Sequence, residues 1–155
     1  IHGGESTTLY RSGTPTVALA SSLALALELA VEQLPQHRDA VRKANAFLRA
    51  ELSRYPKVRI NSPENAIPQI LNLSVQDVKG TVFQRALDEK GVCVSVKSAC
   101  SSDGMPSRAV FAVSRDRRNA LSSWRISLSH LTTEEDLRGF LAAFDACYRE
   151  LTETH

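Results

Sequence analysis

Hydrophobic positions follow a helical period in the first third of the chain, alternate in the middle, and return to the helical period at the end. Leu19, Leu23, Leu27, Ala30 and Leu34 recur three or four apart, which predicts a buried helix over 16–34, with Pro15 in a first-turn position. Pro35 is expected to break it. Val41, Ala44, Leu48, Leu52 and Tyr55 then describe an amphipathic helix over 37–55, ended by Pro56. A short strand at 57–61 and a loop at 62–65 follow.

From there the period is two. Leu71, Leu73 and Val75 alternate with Asn72 and Ser74, Val92, Val94 and Val96 with Cys93 and Ser95, and Trp124, Ile126 and Leu128 with Arg125 and Ser127. Each run reads as a strand with one apolar face. A helix over 79–90, with Val82, Phe83, Ala86 and Leu87 inward and Gly91 as its C-cap, separates the first two. A polar loop from Lys97 to Met105 precedes a short helix started by Pro106. Thr132 and Glu135 predict a capping box for the closing helix, whose core face is Leu137, Phe140, Leu141, Phe144, Tyr148 and Leu151. Interleaved helices and strands predict an α/β class (an α+β sandwich), a small mixed sheet with helices packed against it.

The 155 residues suffice for one domain. Nineteen Lys and Arg against seventeen Asp and Glu leave a net charge of +2, too balanced to point to nucleic acid or an anionic membrane. The stretch from Thr16 to Leu34 is interrupted by Ser21, Ser22, Glu28, Glu32 and Gln33, and is read as too polar to span a bilayer. Three irregularly spaced cysteines, Cys93, Cys100 and Cys147, define neither a disulfide framework nor a zinc site. Free thiols fit the cytoplasm. The start, Ile1-His2-Gly3-Gly4, has no signal-peptide character and no initiator Met; the expectation is a sequence that begins inside a longer protein.

Three places could carry chemistry. Cys100 lies in Lys97-Ser98-Ala99-Cys100-Ser101-Ser102-Asp103-Gly104, a polar setting unusual for a residue type that is mostly buried; Lys97 would favour its thiolate. An incidental loop cysteine is the alternative. Cys93 and Cys147 are expected to be packed as small hydrophobes. Strand alternation sends Arg125 to the face opposite Trp124 and Ile126, where its guanidinium either reaches a pocket and grips a carboxylate or meets solvent. Arg11-Ser12-Gly13-Thr14-Pro15 precedes a helix and could meet a phosphate or simply cap the helix. Arg115, Arg117 and Arg118 read as a solvated helix or turn. His2, His37, His130 and His155 are scattered, with no metal-site spacing.

In order and spacing, His2-Gly3-Gly4, Arg11-Ser12-Gly13-Thr14, Ser98-Ala99-Cys100-Ser101-Ser102, Pro106-Ser107-Arg108 and Arg125-Ile126-Ser127-Leu128 before Thr132-Thr133-Glu134-Glu135 resemble the C-terminal part of cysteine desulfurases. These are class V, fold-type-I enzymes that use pyridoxal phosphate (PLP), and the Ser-Ala-Cys loop resembles the NifS and IscS branch. The resemblance implies that Cys100 takes sulfur from the substrate as a persulfide, that Arg125 binds the substrate cysteine's carboxylate, and that Thr14 meets the phosphate of the partner subunit's PLP in a homodimer. It implies L-cysteine as substrate, L-alanine as product, and a sulfur-acceptor protein serving iron–sulfur cluster assembly, a thio-cofactor or tRNA thiolation. PLP supplies an electron sink. The lysine that holds it belongs to an upstream large domain, so residues 1–14 are expected to be the end of that domain and 15–155 the small domain with its connecting helix.

Glu5 to Tyr10 replace the family's glycine-rich turn, and Ser129-His130 replace a Gly followed by a basic residue. A PLP-independent persulfide carrier, a non-catalytic dimerisation module and a related selenocysteine lyase are the competing readings. An aminotransferase is disfavoured by Cys100.

Overall fold

A computed structural model describes residues 12–96 and 105–153. The element order is α1 (Val17–Leu52), β1 (Val58–Ile60), β2 (Ile70–Val75), α2 (Gly80–Asp88), α3 (Arg108–Ser114), α4 (Arg117–Ser122), β3 (Ser123–Ser127) and α5 (Glu134–Glu153). The chain divides into two compact units, Ile1–Gln36 and His37–His155, and α1 runs across the division.

The first unit departs from the sequence expectation twice. Pro35 lies inside α1 and does not end it. A proline lacks one backbone donor and crowds the preceding turn, but Ala-, Leu-, Glu- and Arg-rich flanks continue the helix on both sides. The leucine stripe, expected to be buried, is exposed: Leu19 and Leu23 are each 70% exposed, and Leu27 and Leu34 are exposed with them. Helix α1 is long and apolar enough, by length and composition, to cross a membrane, a test that the core helix of a soluble protein also passes. The serines interrupt it less than expected, since Ser22 Oγ bonds back to the Ala18 carbonyl at 2.9 Å. Helix α1 starts at Val17, so Pro15 falls before its first turn.

The second unit is built on a three-stranded antiparallel sheet in the order β1-β2-β3. Leu71 pairs with Ile126 and Leu73 with Trp124, so alternation turns both strands' apolar side chains to one face. There Leu71, Leu73, Val75 and Trp124 are fully buried with Phe83 of α2, Leu48 and Leu52 of α1, and Phe144 and Cys147 of α5. Phe83 stacks on Trp124 at 5.2 Å, and Tyr55, just beyond the end of α1, meets Phe144 edge-on at 5.0 Å. Against the other face, buried Ser74 donates to the Asn119 carbonyl of α4 at 3.0 Å. The α/β class expected from the sequence is the one found, with its named strands all antiparallel.

Local details correct the reading in three places. Residues 92–96 form one isolated bridge, Ser95 with Arg125, and no named strand. Val82 is exposed while Phe83 and Leu87 fill the inward face of α2. The capping box of α5 belongs to Thr133 and Asp136, one residue later than expected: Asp136 N–H donates to Thr133 Oγ1 at 3.1 Å and Thr133 N–H to Asp136 Oδ2 at 2.8 Å. Thr132 Oγ1 instead accepts from Ser129 N–H. The turn after α2 is as expected. Gly91 has φ 77° and donates to the Asp88 carbonyl, while Val92 donates to that of Leu87, a pairing that closes a helix through a left-handed residue.

Candidate functional site

The expected parity of β3 places Arg125 directly opposite Asn72 of β2, on the face away from the core. Its backbone is held from the other edge by Ser95: Arg125 N–H donates to the Ser95 carbonyl at 2.7 Å, and the Arg125 carbonyl accepts from Ser95 N–H at 3.1 Å. Arg125 lines a cleft of about 1060 Å³ with Arg59, Asn61, Asn72, Met105 and Arg108 among its walls. Arg125 Nε is buried and has no hydrogen-bond acceptor among the described residues. A buried donor without a partner is costly, and a carboxylate would satisfy it. Arg117 lines the same cleft, and the described lining residues include no carboxylate. Arg59 is paired loosely to Asp116 at 3.6 Å, both half-exposed.

Val96 and Met105 also line this cleft. They are the described residues on either side of the segment that carries Cys100. Cys100 itself, with Lys97 to Gly104, lies outside the described residues. Thr14 is exposed and lies three residues before α1, next to Gly13 with φ 101°.

The other cysteines separate. Cys147 is fully buried, as expected, and burial pushes its thiol up from the ordinary value. Cys93 is exposed, which corrects the expectation of a packed residue. The alternation was sound, since Val92, Val94 and Val96 are partly buried against the core; Cys93 takes the outward parity and its Sγ approaches Asp88 Oδ1 at 3.8 Å.

Sequence reading missed what surrounds Arg125. Asn61 Nδ2 donates to Asn72 Oδ1 at 2.9 Å and to Ser74 Oγ at 2.8 Å, and Asn119 Nδ2 donates to Asn61 Oδ1 at 2.9 Å. The only trace in the sequence is that Asn72 and Ser74 share the polar parity of their strand; the partners come from 11 and 58 residues away. Arg117, expected on a solvated helix or turn, begins α4 and contributes to the cleft wall. His37 and His130 stack with centroids 3.7 Å apart, and the described residues hold no cluster able to bind a metal.

The family model for class-V aminotransferases matches residues 3–140. The chain is 30% identical over 142 residues to the cysteine desulfurase IscS of Clostridium botulinum, covering 88% of this chain and 36% of that protein. It is 32% identical over 154 residues to IscS of Dictyoglomus turgidum, covering 97% and 39%. Among solved structures, a NifS-like protein from Rickettsia africae superposes with a TM-score of 0.76 at 28% identity, over 96% of this chain and 39% of that one. The chain thus spans little more than a third of the length of these relatives. With nearly its whole length matched, the chain belongs to the class-V aminotransferase family and is similar, within it, to IscS- and NifS-like cysteine desulfurases.

Proposed function

We propose that the chain is the C-terminal part of a cysteine desulfurase in which Cys100 takes sulfur from L-cysteine and L-alanine leaves. The transfer balances by itself: the substrate's C–S bond breaks, an S–S bond forms at Cys100, and the thiol hydrogen ends on the alanine methyl group. One observation carries the reading. The cleft that holds Arg125, with its unsatisfied Nε, is also lined by the two described residues that flank the Cys100 segment. A carboxylate anchored at Arg125 would leave the rest of a small amino acid within the same cleft.

Family membership implies PLP in the parent enzyme. The described lining of the cleft does not fit it, for it offers neither a lysine for the aldehyde nor a carboxylate for the ring nitrogen. Arginines there suit a substrate carboxylate instead. We assign the cofactor's seat to the remainder of the parent, with Thr14 toward the phosphate of the partner subunit's PLP in a homodimer. Residues 1–14 would then end the large domain and 15–155 form the small one. A cytoplasmic sulfur-acceptor protein, serving iron–sulfur assembly or thiolation, completes the proposal.

The test is alanine release and persulfide formation by the full-length parent with PLP and L-cysteine. Cys100→Ser should abolish both, and Arg125→Ala should lower kcat/KM for L-cysteine about tenfold or more, as expected for a lost charge-assisted contact. A loss under about threefold would remove Arg125 from the site. Persulfide accepted only from a donor protein, without PLP, would make the chain a sulfur carrier.

A further inference from the structure

We infer that Asn72 is a second donor to the carboxylate held by Arg125, set in place by a chain of side-chain amides that begins on α4. The inference rests on the carboxylate-binding reading of Arg125.

The orientation of each amide follows from counting protons. Ser74 Oγ has one, and gives it to the Asn119 carbonyl at 3.0 Å. Its 2.8 Å contact with Asn61 must therefore be donated by Asn61 Nδ2. Asn61 Oδ1 then lies toward Asn119, from which it accepts at 2.9 Å. The second proton of Asn61 Nδ2 goes to Asn72 Oδ1 at 2.9 Å. With Oδ1 turned toward Asn61, the Asn72 amide directs Nδ2 elsewhere, with two N–H donors to offer there.

Those donors belong to a residue that lines the cleft and stands directly opposite Arg125 in the sheet. Side chains of cross-strand partners lie close enough to act on one ligand. The Asn72 backbone is also pinned, its N–H donating to Ser62 Oγ at 2.8 Å and its carbonyl accepting from Asn61 at 2.8 Å. An aspartate at this position would keep the acceptor toward Asn61 but neutralise Arg125. An asparagine keeps the acceptor and leaves the cation for the ligand. The pair is built for one planar monocarboxylate, such as the α-carboxylate of an amino acid, with a guanidinium on one side and an amide on the other.

The experiment is a nitrogen-15 NMR titration of this 155-residue chain with L-alanine, acetate and ethylamine, the last lacking a carboxylate. The Arg125 Nε–H and Asn72 Nδ2–H₂ signals should move together along one saturation curve with L-alanine and acetate, and stay still with ethylamine. Asn72→Asp, which preserves the Asn61 contact, should weaken carboxylate binding about tenfold or more. The titration of the unmutated chain decides the question even if that variant folds poorly. Movement of Arg125 alone would overturn the role of Asn72 and leave that of Arg125 standing. If neither signal moved with a carboxylate, both assignments would fall.

Discussion

Cys93 and Cys147 show how little residue type alone says about reactivity. Cys147 is sealed among Phe144 and Tyr148, and burial raises its pKa, so it has neither access nor thiolate. Cys93 is exposed. A short iodoacetamide pulse on the folded chain should therefore label Cys93 and spare Cys147, with Cys147 reacting only after denaturation; mass spectrometry of the digested protein reads this directly. Cys100, on its polar segment, is expected to react fastest. Early labelling of Cys147 would contradict its place in the core. The parity of a strand was enough to place Arg125 and to turn Cys93 outward, but not to weigh whether a layer would cover that outward side. Nothing local records what a strand's second face will meet.

At the scale of elements, two glycines predict opposite outcomes. A Cβ on Gly80 would come 2.5 Å from the Ser123 carbonyl oxygen of β3, and backbone cannot yield cheaply. Gly80→Ala should push the first turn of α2 off the sheet and cost about 1–3 kcal/mol. Gly139, within α5, has nothing within 4 Å of such a Cβ, and Gly139→Ala should stabilise by about 0.5–1 kcal/mol through helix propensity. Urea denaturation of both variants measures the contrast. The N-terminus of α5 adds a pH dependence. The N–H and hydroxyl of Thr133 hold the Asp136 carboxyl below its ordinary 3.8. Its contribution is complete above that unfolded value and is lost as the pH falls through the depressed folded one. Thr133→Val should lower the melting temperature at neutral pH, and the gap to the unmodified chain should narrow below about pH 4. Helices α2 and α5 and strands β2 and β3 were legible from period alone, whereas the cap position was not, because Thr132-Thr133-Glu134-Glu135-Asp136 offers two overlapping choices. Pro35 misled for a related reason: a single breaker competes with many good helix formers on either side.

On the scale of the whole molecule, the first unit shows more apolar surface than a monomeric soluble protein usually exposes. Val17, Leu19, Leu23, Leu25, Leu27, Leu29, Val31 and Leu34 are all exposed, and a helix apolar on most sides is ordinarily a buried one. This chain alone should bind an anilinonaphthalene dye while the aromatic core remains folded. Replacing Leu19, Leu23 and Leu27 with Gln should remove most of that fluorescence without changing the near-ultraviolet circular dichroism from Trp124. The sequence showed the helix and its stripe; it could not show that the stripe's leucines would stand exposed. Family membership was legible because several short motifs kept their order over nearly the full length. The amide chain beside Arg125 was not, because Asn61, Asn72 and Asn119 meet only after β1, β2 and α4 have assembled.

That amide chain also constrains how this part of the protein can change over time. Asn61 uses both its donor and its acceptor to join Asn72 to Asn119, so replacing any one of the three strands a polar group on its neighbours. The first replacement should carry most of the total loss and the second and third little more, a strong departure from additivity. Viable substitutions at 61, 72 and 119 would then arise as linked sets. In a library randomised at the three positions, the survivors should show strong covariation there, with few chains altered at just one of them.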